Sequence, residues 1–132
     1  MKLLLDTHIF LWWNLDFPHL SFKHKALLEE AETSGEGYGL SIISLWEIAK
    51  LVSAGKFHVA FSLDQWFLQL EDHALVHLLS MNGSIILDST RLGPHFHKDP
   101  IDQLIVATAR YHELTLLTVD EKIQKSGVVP VV

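Results

Sequence analysis

The sequence predicts an α/β fold with a largely parallel sheet, and three observations support that class. Short apolar runs of strand length recur along the chain, segments with the hydrophobic spacing of helices lie between them, and no repeat or linker interrupts the pattern. Strands that alternate with helices are typical of α/β domains in which the strands run parallel. We therefore expect residues 1–132 to form a single domain.

Five segments are expected to be strands because they are short, apolar and bounded by polar or turn-forming residues. They are Met1–Leu5, Tyr38–Ile42, Ala74–Leu79, Thr115–Val119 and Val128–Val132. The central sheet should therefore contain about five strands.

Five further segments are expected to be helices: His8–Leu15, Ser21–Thr33, Ser44–Ser53, Ser62–Asp72 and Asp99–His112. Ser62 with Gln65 three residues later is a capping-box pattern, and Pro100 suits the first position of a helix. The segment Asn82–Leu92 is ambiguous because its short apolar run fits a strand or a buried helix equally well.

Composition limits the class of protein. Hydrophobic residues make up 48% of the chain, and it has no cysteine, which excludes disulfides, cysteine-ligated zinc and thiol catalysis. Asp6 and His8 interrupt the apolar run at the N-terminus, and no stretch reaches the roughly 18 apolar residues of a membrane span. We expect a soluble cytoplasmic protein with no membrane association.

The formal net charge of −6 argues against a general nucleic-acid binder, because such proteins usually present a basic face. It leaves room for an enzyme that acts on a short stretch of RNA. Acidic side chains that bind metal ions would themselves make the charge negative.

Four carboxylates lie at the ends of predicted strands or the starts of predicted helices. Asp6 ends the first strand, and Asp120 ends the fourth. Glu47 and Asp102 are expected in the first turns of the helices that begin at Ser44 and Asp99. The ends of parallel strands and the starts of the following helices share one edge of the sheet, where ligands of open α/β sheets bind. Four carboxylates so close would repel each other without a cation, and Mg²⁺ or Mn²⁺ prefers such oxygen ligands.

Each acid also has a purely structural interpretation. Glu47 follows Ser44 at capping-box spacing, Asp99 before a proline is a natural N-cap, and Asp102 would interact favourably with the helix dipole. The remaining two acids, Asp6 and Asp120, can simply terminate strands or cap helices. The metal site is favoured because all four acids are expected at the same edge.

Four segments resemble, in order along the chain, the motifs of the PIN-domain family and of its VapC-like toxin ribonucleases from type II toxin–antitoxin systems. They are Leu3–His8, Ser41–Ile48, His97–Ala109 and Leu116–Asp120. Each motif is weak alone, whereas the ordered set is specific and runs through essentially the whole chain.

The resemblance implies a three-layer α/β/α domain, a Mg²⁺- or Mn²⁺-dependent endonuclease that cuts RNA, and inhibition by a cognate antitoxin. The catalytic and metal-binding residues that it implies are Asp6, Glu47, Asp102 and Asp120. Thr118, Thr7 and Asp99 are secondary candidates. Gln103 departs from the family pattern, since many relatives carry arginine there, and this puts a phosphate contact at that position in doubt.

In such a site, we expect Asp6 and Asp102 to be central ligands and Asp120 to be a direct or water-mediated ligand. Glu47 would be a ligand or would orient the attacking water. Carboxylate-bound ions activate water and stabilise the charge of the phosphoryl transition state, and either one or two ions fit the sequence.

Other polar residues are weaker candidates for metal or RNA binding. His95 and His97 are too sparse for a zinc motif, and we expect loop packing or surface exposure for both. Lys50, Lys98 and Arg110 are candidates for contacts with RNA phosphates, although scattered surface charge is the ordinary explanation.

The segment His8–Leu15 is apolar almost all round, which suggests a second buried face. We therefore expect a homodimer and an apolar groove for the antitoxin.

Two other functions deserve comparison. A phosphatase with Asp6 as its aspartyl nucleophile would commonly carry a second acid two residues later, where this chain has His8. A catalytically silent scaffold that only binds a partner would be attractive if one of the four acids were missing, and none is.

Overall fold

The computed structural model describes residues 1–132 and has a central sheet of four parallel strands. The strands are β1 (Leu3–Leu5), β2 (Tyr38–Ser41), β3 (Val76–Leu79) and β4 (Thr115–Leu117). Their order across the sheet is β3-β2-β1-β4, so β1 lies between β2 and β4. The register pairs Leu5 with Leu40 on one side and with Leu117 on the other. The predicted parallel α/β class is confirmed.

Seven helices surround the sheet. They are α1 (Thr7–Asn14), α2 (Phe22–Thr33), α3 (Ile42–Ser53), α4 (Leu63–Glu71), α5 (Gly83–Ser89), α6 (Pro100–Tyr111) and α7 (Glu121–Ser126). None of these helices is long and apolar enough to cross a membrane.

The sheet separates two hydrophobic cores, as the alternation of side chains along β1 shows. Leu5 packs with residues of α1, α2, α3 and α4 in one core, whereas Leu4 packs with residues of α6 and α7 in the other. Leu116 and Leu117 of β4 divide between the same two cores. Successive side chains of a strand point to opposite faces, so helices cover both faces and give the expected three-layer α/β/α arrangement.

The expectation of about five strands is wrong by one. Residues 128–132 form only an isolated parallel bridge between Val131 and Leu116. The Leu116 amide donates to the Pro130 carbonyl, and the Val132 amide donates to the Leu116 carbonyl. Continuing this ladder towards Leu114 would need an amide hydrogen on Pro130, which proline lacks.

Two helices differ from the sequence-based expectation, and one was not expected at all. The ambiguous segment is helical as α5, where the Asn82 side chain accepts from the Ile85 amide at 2.9 Å. Helix α3 begins two residues earlier than expected, and its N-cap is Ser41 and not Ser44. Helix α7 follows Asp120 directly and has only six residues.

A candidate metal centre at the carboxyl edge of the sheet

The centre of the candidate site is Asp6, which directly follows the central strand β1. Its amide still donates to the Leu117 carbonyl of β4 at 2.9 Å, so the backbone is held in the sheet. Its side chain is the N-cap of α1, because Oδ1 accepts from the Thr7 amide at 2.8 Å. The residue is only 8% exposed. Burial raises the pKa of Asp6 above its usual value, although hydrogen bonds from Thr118 and Thr7 lower it.

Thr118 connects two of the predicted acids. It is fully buried beyond the end of β4. Its hydroxyl donates to Asp6 Oδ2 at 2.7 Å and accepts from the Asp120 amide at 3.1 Å. The Gln124 side chain donates to the Thr118 carbonyl at 2.9 Å, which ties this segment to α7. Thr118 therefore sets the position of Asp6 relative to Asp120.

Asp120 is the N-cap of α7, where its Oδ1 accepts from the amides of Lys122 at 2.8 Å and Ile123 at 3.2 Å. The structural interpretation of Asp120 as a helix cap is therefore correct. The capping role does not remove Asp120 from the cluster, because its ligand atom lies within 4.8 Å of those of Asp102 and His97.

Asp102 lies in the first turn of α6, as expected. Its pKa is raised to about 8, first by burial and then by the charges of the surrounding acids. Those acids are Asp6, Asp99, Asp120 and Glu47. The charges of the other four acids thus all act on Asp102 at this edge.

Glu47 lies in the second turn of α3 and not in the first, because the helix begins at Ile42. The capping box with Ser44 does not form, since Ser44 is inside the helix and its Oγ accepts from the Thr7 hydroxyl at 2.9 Å. Burial raises the pKa of Glu47, and the charges of Asp6 and Asp99 raise it further. The Thr7 hydroxyl also lies near Glu47 and lowers its pKa.

Asp99 has the predicted capping role and also lies near the acidic cluster. It caps α6, with Oδ1 accepting from the Ile101 amide at 2.9 Å. It is also close enough for its charge to raise the pKa of Asp102 and of Glu47. The side chain is exposed, so it lies at the rim of the cluster.

Of the lysine and arginine residues considered for RNA contacts, some line the cleft at the acids and others interact elsewhere. Lys98 lines the open cleft above the acids, and Lys122 lines it too, although the sequence analysis did not single it out. Arg110 is engaged elsewhere, since its Nε lies 2.9 Å from Asp88 Oδ2 and its Nη1 donates to the Val128 carbonyl. Lys50 lies 5.5 Å from the centre of the Trp46 ring, in a cation–π arrangement.

His97 packs in a loop, as expected, but lies closer to the acidic cluster than its sequence position indicated. Its Nε2 lies 3.4 Å from Asp102 Oδ2. Gln103, in place of the arginine of many relatives, donates from its side-chain amide to the His97 carbonyl at 3.1 Å. In the sequence, His97 begins the segment His97–Ala109 that resembles the family motif, but its position five residues before Asp102 belongs to no general ligand motif.

The donor set fits a divalent cation. No lysine or arginine forms an ion pair with Asp6, Glu47, Asp102 or Asp120, so side chains do not neutralise the cluster. Carboxylates at this density favour a hard cation, and Mg²⁺ and Mn²⁺ take such oxygen ligands. The site residues that would hold it lie on rigid elements at the edge where α/β sheets bind ligands.

A three-layer α/β/α domain with an acidic cluster at the carboxyl edge belongs to the class of open-sheet proteins that bind their ligand at that edge. Residues 3–128 match the family model of the PIN domain. Ribonuclease VapC22 of Mycobacterium tuberculosis is 30% identical over 121 residues, which are 92% of this chain and 88% of that protein. The chain therefore belongs to the PIN-domain family, and the resemblance seen in the sequence motifs is confirmed.

Solved structures agree with this fold. FitAcB from Neisseria gonorrhoeae has a TM-score of 0.68 at 20% identity and covers 98% of this chain and 96% of its own. VapBC2 from Rickettsia felis, bound to a DNA fragment from its promoter, has a TM-score of 0.70 at 17% identity, with coverage of 100% and 98%. A toxin–antitoxin complex from Klebsiella pneumoniae has a TM-score of 0.66 at 20% identity, with coverage of 99% and 96%.

The raised pKa of Asp102 predicts how the metal-free protein responds to pH. The group keeps its proton up to about pH 8 when folded but loses it near 3.8 when unfolded, so its stabilising contribution is lost as pH rises between these values. We expect Asp102→Asn to raise the melting temperature in EDTA by roughly 5 °C at pH 8, the shift for a change of about 1–2 kcal/mol, and to change it little at pH 4. The measurement is thermal unfolding followed by circular dichroism.

The matched control is Asp72→Asn, which neutralises an exposed carboxylate at the end of α4. It should not reproduce the pH-dependent gain. An equal gain at both pH values for Asp102→Asn would contradict the electrostatic account.

The position of Thr118 predicts a second effect. Thr118→Val removes the hydroxyl that serves both Asp6 and Asp120, and we expect it to lower the free energy of unfolding by about 2–3 kcal/mol. Thr118→Ser keeps the hydroxyl and removes only a methyl group, so its loss should be about 1 kcal/mol. Chemical denaturation at pH 7 measures both, and equal losses would mean that packing, not the hydrogen bonds, makes Thr118 important.

Proposed function

We propose that the protein is a metal-dependent endoribonuclease and the toxin of a toxin–antitoxin pair, and that it hydrolyses RNA phosphodiester bonds at the carboxyl edge of its sheet. The observation that carries this proposal is the gathering of Asp6, Glu47, Asp102 and Asp120 from four parts of the chain without any lysine or arginine ion pair. The ribonuclease name of the relative from M. tuberculosis supports the same activity.

The geometry suggests a division of roles. Asp102 and Asp120 belong to the tightest group of donor atoms, and Asp6 lies at the buried base of the cluster, so these three are the proposed metal ligands. Glu47 belongs neither to that group nor to the buried base, since it is only half-buried, and its raised pKa makes it a better proton acceptor near neutral pH. We assign Glu47 to orienting the attacking water and accepting its proton.

A bound Mg²⁺ or Mn²⁺ supplies Lewis-acid activation of that water and neutralises charge on the phosphate. Thr118 and Thr7 keep the carboxylates in place through the hydrogen bonds described above. Lys98 and Lys122 line the cleft at the acids and are the proposed contacts for neighbouring RNA phosphates. Because RNA is the proposed substrate, we place the protein in the cytoplasm.

The phosphatase alternative receives no support from the site. Enzymes that use an aspartyl nucleophile commonly carry a second acid two residues later, and this chain has His8 there. A silent scaffold remains as the alternative that the activity experiment must exclude.

The proposed macromolecular partners are a cognate antitoxin and a second copy of this chain. The antitoxin is supported by the similar folds solved in toxin–antitoxin complexes, and the matching experiment is suppression of RNA cleavage by stoichiometric antitoxin. Helix α1 offers little free apolar surface for a dimer contact, because Trp12, Trp13 and Leu15 pack partly buried against the core of their own chain.

The apolar surface that supports a dimer lies instead where α3 and α6 begin. It is a cleft lined by Ile42, Ile43, Trp46, Met81, Pro100, Ile101 and Leu104. Trp46 is 52% exposed and Ile42 is 38% exposed, which is unusual for large apolar side chains grouped on one surface. We assign this cleft to the homodimer contact.

The test of the activity is cleavage of a mixed RNA pool by the purified protein with Mg²⁺, Mn²⁺ or EDTA. We expect cleavage only with a divalent cation, and a loss of at least about 100-fold in Asp6→Asn, since a central ligand is removed. Asp72→Asn is the control and should cleave like the wild type. A folded protein, free of antitoxin, that cuts no RNA under any metal would favour the scaffold.

The dimer is tested by light scattering after size exclusion. We expect the wild type to have twice the mass of the 15.0 kDa chain. Trp46→Asp should give monomers, because it places a charge in the apolar cleft, whereas Leu68→Asp on α4, at a similarly exposed position, should stay dimeric. A monomeric wild type, or equal behaviour of both variants, would contradict the assignment.

A further inference from the structure

His97 places a nitrogen donor among the carboxylates. Its Nε2 lies 3.4 Å from Asp102 Oδ2, and the ligand atoms of His97, Asp102 and Asp120 all lie within 4.8 Å of one another. The side chain is 16% exposed, comparable with the 17% of Asp102. None of the assigned roles at the site uses this imidazole.

The contact between His97 and Asp102 is not a good hydrogen bond. Charge-assisted N–H···O bonds usually span about 2.7–2.9 Å, whereas this pair is 3.4 Å apart. The Nε2 atom is also buried and has no hydrogen-bond partner. A buried polar atom without a partner calls for an explanation, and a ligand role is one of the usual ones.

The spacing suits two ligands of one ion. Two atoms each about 2.2 Å from a cation are roughly 3.1 Å apart at a right angle and roughly 4.4 Å apart when opposite. The observed 3.4 Å between Nε2 and Oδ2 lies between these limits and close to the right-angle value. His97 and Asp102 can therefore share a cation with small side-chain adjustments.

The imidazole is held in place from two sides. Its ring stacks on Phe96, with ring centres 4.7 Å apart and planes inclined by 22°. Phe96 is itself buried in the core beneath α6. The Gln103 side chain holds the His97 carbonyl to the first turn of α6, next to Asp102. The donor is positioned before any ion binds, which is the arrangement that favours a ligand.

We propose that His97 is a ligand of the divalent cation through Nε2, and that it makes the site prefer Mn²⁺ over Mg²⁺. The inference rests on the metal site of the proposed function. Mn²⁺ prefers oxygen ligands too, but as a first-row transition ion it accepts an imidazole nitrogen more readily than Mg²⁺, which is bound almost entirely through oxygen. A nitrogen donor beside carboxylates therefore strengthens Mn²⁺ binding more than Mg²⁺ binding.

The test uses the full chain loaded with Mn²⁺ and pulsed electron paramagnetic resonance, which detects a directly bound nitrogen. We expect a nitrogen hyperfine coupling in the wild type that is lost in His97→Asn. Calorimetric titration should show Mn²⁺ affinity falling about tenfold in that variant, with Mg²⁺ affinity falling much less. Neither readout requires RNA cleavage.

His95→Asn is the matched control, because His95 is an exposed histidine two residues away that belongs to no donor group. It should keep both the coupling and the affinity ratio. Bound Mn²⁺ without nitrogen coupling in the wild type, or coupling that persists in His97→Asn, would overturn the proposal while leaving the carboxylate site intact. Failure of the wild type to bind Mn²⁺ at all would overturn the metal site of the proposed function as well.

Discussion

Mutual repulsion among carboxylates is the constraint on which the site depends. Asp102 lies close enough to the other four acids of this edge for each of their charges to raise its pKa. No lysine or arginine is paired with any of the five. Without a cation, the folded chain must either hold protons on these groups or tolerate the repulsion. The site is therefore optimised for binding a ligand at the expense of the stability of the fold.

The fold makes this arrangement possible by burying the strands that carry it. β1 is paired on both sides, and its neighbouring residues Leu4 and Leu5 anchor it in the two separate cores. Asp6 follows without a break, and its backbone remains paired to β4. Thr118 then links Asp6 to the start of α7 through one hydroxyl group. The packing of the sheet therefore offsets the cost of placing charges at its edge.

Local patterns were sufficient to predict much of this arrangement. The apolar runs predicted four of the strands, and the cap and proline at Asp99 and Pro100 predicted the start of α6. Strand ends and helix starts share one edge in any parallel sheet, so the convergence of the acids followed from topology. Asp6 and Asp102 lie where that reasoning placed them.

The sequence did not predict features that depend on competing local signals or on tertiary contacts. Ser41 and Ser44 are both good N-caps, and their local patterns do not decide which of them starts α3. Helix α7 is too short for a clear periodicity, while the last strand is limited by the missing amide hydrogen of Pro130. His97 reaches Asp102 only because Phe96 is anchored in the core, a tertiary contact that no spacing rule encodes.

The most direct measurement of the central claim is calorimetric titration of the metal-free protein with Mn²⁺ at pH 7, in two buffers with different ionisation enthalpies. Asp102, with a pKa of about 8, is largely protonated at this pH and must lose its proton when a cation binds. The account predicts saturable binding whose heat depends on the buffer, and loss of that dependence in Asp102→Asn. Absence of saturable binding, or binding heat that is identical in both buffers, would contradict a repelling carboxylate cluster that a cation neutralises.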